Sequence, residues 1–186
     1  FSVTIPYKEV ILPFCHTLSP EAKKIGAVNC VKITENGWKG YNTDCIGFRD
    51  TLPLDKLEHG GKAIVFGTGG ASKAIIHVLI DLGLEVVRVS TSSKPGAISY
   101  HDLTAQMIEE AIILVNCTPL GTYPEVEEAV PINFLAIHKD QVCYDLVYNP
   151  KQTKFLQLSD RQGALTINGM RMLEIQAEEA WKIWGN

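Results

Sequence analysis

Nowhere in the 186 residues does the Cys-x-x-Cys spacing of a zinc or redox site occur. The five cysteines, Cys15, Cys30, Cys45, Cys117 and Cys143, are odd in number and scattered. That pattern excludes a disulfide framework and predicts the reduced thiols of a cytoplasmic protein. The five histidines share no ligand spacing either, so no metal is expected. Clustered positive charge is missing too: 17 basic against 21 acidic residues give a net charge of -4. Nucleic acid and membrane surfaces, which are held by concentrated Lys and Arg, are therefore not the expected partners. No apolar run reaches the ~18 residues of a membrane span, and no signal-peptide pattern, repeat or low-complexity segment is visible. What is present is 46% apolar residues, enough to bury the core of one large or two small domains. The expected partner is a small molecule, bound by a monomer or homodimer.

One stretch organises the chain. From Lys62 an apolar run leads into Gly67-Thr68-Gly69-Gly70-Ala71-Ser72 and out into a periodic helix over 71–82. Gly67 suits the dihedrals of a tight turn, and Gly69 lets backbone approach a pyrophosphate. Ser72 stands where a third glycine would allow close helix–strand packing. The helix then aims its free N–H groups at an anion. A second apolar strand, 85–90, starts after Gly83, completing strand, glycine turn, helix and strand within about 30 residues.

Beyond the turn, strands expected at 62–67, 85–90, 112–117, 141–146 and 164–167 alternate with helices at 71–82, 101–110 and 151–161. That alternation predicts an α/β fold with a right-handed, mostly parallel, doubly wound sheet, whose carboxyl edge is where ligands bind. Ahead of it, 1–6 alternates like a strand stopped by Pro6, and 9–15 and 20–25 carry helical spacing restarted by Ser19-Pro20. Strands 28–33 and 38–42 flank an Asn36-Gly37 hairpin turn, and a short helix is expected over 45–52. A final helix, 170–184, is expected to bury Leu173, Ala177, Ala180, Trp181 and Trp184 on one face, with Gln176 at its margin. The charged segment 53–61 divides the chain, giving a domain at 1–52, a nucleotide-binding domain at 60–168 and a terminal helix at 169–186. A unit of some 50 residues is marginal as an independent core, and the chain does not start with Met. Either an amino-terminal piece is missing or the short region docks on the larger domain.

Eight blocks occur in order: Ser2 to Lys8, Ile25 to Asn29, Gly40 to Phe48, Gly67 to Ser72, Asn116 to Gly121, Asp145 to Pro150, Asn168 to Met170 and Leu173 to Ala177. Together they resemble the shikimate dehydrogenase family. The resemblance implies a Rossmann-like doubly wound sheet beside a smaller, incomplete α/β substrate-binding domain. It also implies NADP-dependent, reversible reduction of 3-dehydroshikimate to shikimate in aromatic amino-acid biosynthesis. Quinate oxidation with NAD and a non-catalytic nucleotide-binding relative are the alternatives. Members of the family carry a further segment before the first block, with a Ser-x-Ser motif for the substrate carboxylate.

Carried over block by block, Lys8 and Asp44 are the catalytic pair, and Thr4, Asn29, Tyr148 and Gln176 contact substrate. Gly67, Thr68, Gly69, Gly70, Ala71, Ser90, Thr91, Ser92, Lys94, Asn116, Thr118, Pro119 and Gly169 line the cofactor. Ketone reduction leaves an alkoxide that needs a cation or acid, which a lysine beside an aspartate supplies. Taken singly, Lys8 is also a solvated charge after a strand and Asp44 an N-cap. Asn29 is also a turn cap, Gln176 a helix margin, and Tyr148 edge packing. At the end of the second strand, Ser90-Thr91-Ser92-Ser93-Lys94 holds no carboxylate to repel a 2′-phosphate, which favours NADP. The departures from the family are Thr91, where NADP-dependent members carry arginine, and Thr122, where methionine is common.

Overall fold

The structure is a computed structural model that describes residues 1–57, 60–92 and 94–185. The chain divides into two compact units, Phe1–Leu52 with Gly69–Val78 and Arg171–Asn186, and Pro53–Thr68 with Leu79–Met170.

The larger unit holds a six-stranded sheet in which all five pairings are parallel. Its strands are β4 (Gly61–Phe66), β5 (Leu84–Ser90), β6 (Ile98–Ser99), β7 (Ala111–Asn116), β8 (Val142–Asp145) and β9 (Leu165–Ile167), in the order β6-β5-β4-β7-β8-β9. Order reverses at β4, so the sheet is doubly wound, and the crevice at that reversal is where such sheets bind ligands. Ala63, Ile64, Val65 and Phe66 of β4 are all buried, as expected of a central parallel strand covered on both faces. Ile64, Phe66, Leu114, Cys143 and Phe155 belong to one hydrophobic cluster. Helix α3 (Gly70–Asp81) joins β4 to β5.

The smaller unit carries a mixed sheet of β1 (Thr17–Leu18), β3 (Gly37–Tyr41) and β2 (Cys30–Thr34), with β1 parallel and β2 antiparallel to the central β3. Val3, Ala22, Val28 and Val31 form its core. Helix α1 (Pro20–Ile25) starts where Ser19 Oγ accepts from Ala22 N at 3.1 Å, and stops at Gly26, which is left-handed at φ 69°.

Several expected boundaries move, each for a local reason. Helices α4 (Ala105–Glu109) and α5 (Lys154–Asp160) start late because Thr104 and Thr153 cap them, accepting from Met107 N and Leu156 N. Helix α2 (Asp44–Arg49) ends early: Thr51 Oγ1 donates to the carbonyls of Gly47 and Phe48, and the backbone tightens to three-residue bonds from Thr51 N and Leu52 N. Residues 1–6 form no strand. Only Ser2 makes a bridge, to Cys30, and Pro6 has no N–H with which to extend it. Over 9–15 the chain makes turns and a 3-10 helix at Leu12–Phe14 rather than an α-helix. The hairpin also differs: Thr34 pairs with Gly37, Gly37 takes φ 99°, and no described residue other than glycine has positive φ. Glu35 and Asn36 therefore form the turn, and Gly37 absorbs the left-handed step after it.

In the terminal helix α6 (Met170–Gly185) Ala180 is buried as expected, but Leu173, Ala177, Trp181 and Trp184 are not. Met172, Ile175 and Ala180 are buried, whereas Trp181 is 75% and Leu173 36% exposed. The buried positions follow i, i+3 and i+8 spacing that includes polar Gln176 and Glu179 at its edge, so weighting the tryptophans misplaces the stripe. Trp184 is 37% exposed and donates from Nε1 to Val31 O at 3.0 Å. Among the described residues no helix is long and apolar enough to cross a membrane, and no three His, Cys, Asp or Glu side chains could hold a metal.

Candidate active site

Within the smaller unit, three segments distant in sequence converge at one end of the hairpin. Cys30 and Tyr41 are the last pair of β2 and β3, so Asn29 and Asn42 leave the sheet side by side. Asn29 N donates to Tyr41 O at 3.0 Å, and Val28 N donates to Lys8 O at 2.7 Å. Lys8 is thus tied to the strand that carries Asn29, and the turn after β3 delivers Thr43 and Asp44.

Their side chains form one network. Lys8 Nζ donates to Asp44 Oδ2 at 2.6 Å, with the two side chains only 12% and 7% exposed. Asn29 Nδ2 donates to Asp44 Oδ1 and to Thr43 Oγ1, each at 2.9 Å, and Asn29 Oδ1 accepts from Thr43 N at 2.8 Å. Thr43 Oγ1 donates to Gln176 O at 2.9 Å, while Gln176 Oε1 lies 3.4 Å from Asn29 Nδ2. Each oxygen of Asp44 therefore has its own donor, one charged, which gives short, strong bonds and a fixed carboxylate. Both amide protons of Asn29 are committed within the network, so Asn29 orients Asp44. Asp44 is the first residue of α2, where a negative charge is favoured. Burial first, and the charge of Asp44 next, push the neighbouring Cys45 thiol up to about 11. It is not a nucleophile at neutral pH.

The glycine turn supplies the second half of the chemistry. Gly67 has φ 96°, a dihedral that favours glycine. Ser72 Oγ donates to Gly69 O at 2.7 Å, fixing the first turn of α3. A methyl placed on Gly69 would meet nothing within 4 Å, whereas one on Gly70 would lie 2.7 Å from Lys8 Cβ. Gly69 faces open space, and Gly70 makes room for the stem of Lys8. At the end of β5, Ser90 Oγ lies 3.4 Å from Thr68 Oγ1 and 3.2 Å from Ser92 Oγ, and accepts from Ser92 N. Open space at Gly69 before the 12-residue α3 suits a phosphate. In the larger unit, hydroxyls without a carboxylate at the end of β5 suit the 2′-phosphate of NADP.

The remaining expected residues are distributed unevenly. Gln176 joins the network, but Thr4 is exposed, and among the described residues its side chain makes no hydrogen bond. Its carbonyl accepts from Tyr7 N at 2.8 Å. Tyr148 is 44% exposed. Ala71 is half-buried, and Thr91, Lys94 and Pro119 are exposed. Ser93 lies outside the described residues. Asn116 is fully buried, and its Oδ1 accepts from Thr118 N at 3.0 Å and Thr118 Oγ1 at 2.6 Å. Gly169 is a close approach: a methyl there would sit 2.0 Å from Leu146 O.

Comparison with known proteins supplies the family. The model of the shikimate dehydrogenase substrate binding domain matches residues 1–31. The shikimate dehydrogenase (NADP(+)) of a Nostoc species is 38% identical over 99% of this chain and 71% of its own length. The chain belongs to the shikimate dehydrogenase family. Among solved structures, a chorismate mutase/shikimate 5-dehydrogenase fusion protein from Clostridium acetobutylicum superposes with a TM-score of 0.85 at 33% identity, covering 98% of this chain and 70% of that one. Shikimate 5-dehydrogenase from Thermus thermophilus, solved in complex with NADP(H) and shikimate, gives 0.82 at 31% identity, covering 98% and 71%. The model match for this dehydrogenase family spans Lys8 and Asn29.

Sequence reasoning missed Thr43 as a member of the network, although it immediately precedes Asp44 in a quoted block. It also missed the ion pair of Lys73 with Glu9 at 2.5 Å, which ties the second turn of α3 to the residue after Lys8. Neither has a local signal, because both depend on partners at least 14 positions away.

Proposed function

We propose that this chain catalyses the NADP-dependent, reversible reduction of 3-dehydroshikimate to shikimate, with Lys8 and Asp44 as its catalytic pair. The observation that carries the reading is the buried Lys8–Asp44 ion pair at 2.6 Å, on a chain whose relatives are named for this activity. Bound NADP would supply the hydride acceptor or donor for the substrate carbon. The chain's part is to manage charge and protons around that carbon. Lys8 Nζ offers a positive charge and a proton to the developing alkoxide. Asp44, held by Asn29, keeps the ammonium aimed and accepts from a substrate hydroxyl. Gln176 and Thr43 support Asn29, while Thr4 and Tyr148 offer hydroxyls to a polyol acid.

Gly67, Thr68, Gly69, Gly70 and Ala71 would hold the pyrophosphate through backbone N–H groups. Ser90, Thr91, Ser92 and Lys94 would receive the 2′-phosphate, and Asn116, Thr118, Pro119 and Gly169 would flank the nicotinamide half. We assign the activity to the cytoplasm, where five cysteines outside any disulfide are stable.

The test is shikimate-dependent NADP reduction, followed by absorbance, in the chain and in Lys8→Ala. Loss of a general acid typically lowers turnover by roughly 10²–10⁴-fold, with NADP affinity retained. Unchanged turnover in Lys8→Ala would remove Lys8 from the mechanism.

A further inference from the structure

One buried carboxylate has no part in the chemistry above. Asp145 ends β8 directly beside Asn116, the last residue of β7, in register, and both are fully buried. Asp145 Oδ1 accepts from Asn116 Nδ2 and from Val147 N, each at 3.0 Å. Asp145 Oδ2 accepts from Thr153 Oγ1 at 2.6 Å. Every one of these donors is neutral.

The bonds run on into three segments at the carboxyl edge of the sheet. Asn116, turned by its bond to Asp145, presents Oδ1 to Thr118 N and Thr118 Oγ1, and Thr118 Oγ1 accepts from Leu120 N at 3.3 Å. The segment ends at Gly121, which has φ 85° and whose added methyl would lie 3.4 Å from Thr153 Cβ. Val147, fixed through its N–H, accepts from Gly169 N at 3.1 Å. Thr153, fixed through its hydroxyl, caps α5 by accepting from Leu156 N at 3.3 Å.

Burying a carboxylate without a cation disfavours folding, and a pair of apolar side chains would close the same space more cheaply. An ionised carboxylate has acceptors on both oxygens and no donor. It alone can draw three donors from three segments to one point. Burial pushes the Asp145 carboxyl up to about 6, against the opposing effect of its three hydrogen bonds, so it is mainly ionised at neutral pH.

We propose that Asp145 is a positioning residue for the nicotinamide cofactor, holding the segments after β7 and β8 in binding geometry before the cofactor arrives. This rests on the NADP reading above. Asp145 touches no reacting atom. It acts through Asn116, Thr118 and Val147.

The test compares the chain with Asp145→Asn, Thr153→Val and Thr153→Ser, using calorimetric titration with NADP, KM for each substrate and amide exchange without cofactor. Asp145→Asn puts a donor where Thr153 needs an acceptor, and should weaken NADP binding about tenfold or more. KM for shikimate should change less than NADP affinity, because Lys8 and Asp44 are untouched and, of the expected substrate contacts, Tyr148 alone follows a residue held by Asp145. Amides of Thr118 and Val147 should exchange faster in that variant. Thr153→Val should weaken NADP binding in the same direction, and Thr153→Ser, which keeps the hydroxyl, should restore it. Folded variants that bind NADP like the parent overturn the proposal, even where their thermal stability is lower. If Asp145→Asn does not fold, the Thr153 pair decides by the same criterion. A parent chain that fails to bind NADP overturns the functional reading instead.

Discussion

Replacing Gly70 by alanine separates the two jobs of the glycine turn. The new methyl would lie 2.7 Å from Lys8 Cβ and 3.6 Å from Lys8 Cγ and Cδ. Ordinary contact between such carbons begins near 3.5 Å, so the stem of Lys8 must retreat by about 1 Å. Cβ is the rigid root of the side chain, and the retreat therefore carries backbone with it. The Lys8–Asp44 bond, at 2.6 Å, would stretch beyond good hydrogen-bond length. Misplacement of a reacting group by about 1 Å can cost roughly 10²-fold in rate. Gly70 is the first residue of α3, where the interior helix preference for alanine does not apply, and overpacking itself costs roughly 1–3 kcal/mol, so the melting temperature of the variant is measured beside its kcat. Gly69→Ala is the counterpart: its methyl enters open space, where a pyrophosphate would lie. The assay is kcat at saturating substrates beside NADP affinity from titration, in both variants. Gly70→Ala should lower kcat with the smaller change in NADP affinity, and Gly69→Ala should mainly weaken NADP. A Gly70→Ala enzyme with parental kcat would refute the reasoning.

Two further outcomes follow from charge. Lys94→Glu should weaken NADP binding more than NAD binding, because a carboxylate repels a 2′-phosphate and accepts from a 2′-hydroxyl; equal losses in paired titrations would remove Lys94 as the discriminator. Asp145 should leave a signature in stability against pH. Its folded carboxyl is raised from 3.8 to about 6, so between those values the folded state binds more protons than the unfolded chain, and this group's contribution falls as pH rises. The difference corresponds to about 3 kcal/mol. Urea unfolding of the parent relative to Asp145→Asn should show that loss between about pH 4 and pH 6, and a flat difference would count against the raised carboxyl.

The parts of the fold that sequence could predict are those whose causes are local. The turn at Gly67 needs a positive φ, which only glycine takes readily, so the residue type itself carries the geometry. The central strand β4 reads correctly because a parallel strand buried on both faces must be apolar throughout. Helix α1 announces itself through Ser19 and Pro20. Strands β1 and β6 have two residues each, too few for any periodicity to register, and exist only because β3 and β5 offer them an edge. The outward turn of Trp181 has a similar origin: its face is set by the spacing of Met172, Ile175 and Ala180, and side-chain size alone misleads. In the candidate site, Lys8 and Asp44 were legible through their blocks. The commitment of both Asn29 amide protons was not, since it depends on Thr43 and Asp44 arriving across the hairpin.

That network also bears on why a charge pair stands in this place at all. A buried ion pair is weak evidence for stability, because desolvating both charges offsets most of their attraction, and an apolar pair of similar volume often folds as well. Lys8 and Asp44 are 12% and 7% exposed, so that cost applies to both. Asn29 reduces it by satisfying the second carboxylate oxygen, and Thr43 and Gln176 in turn fix Asn29. Such a chain of partners does more than compensate burial: it leaves Asp44 little rotational freedom and gives Lys8 Nζ a single direction in which to point. Preorganised charge of this kind is most useful where charge develops during a reaction, since no reorganisation is then required at the moment it appears. The residues that secure the pair, Asn29, Thr43 and Gln176, span 147 positions of the chain. The smaller unit's fold is what holds Lys8 and Asp44 at bonding distance, and the ion pair itself contributes little to holding that fold.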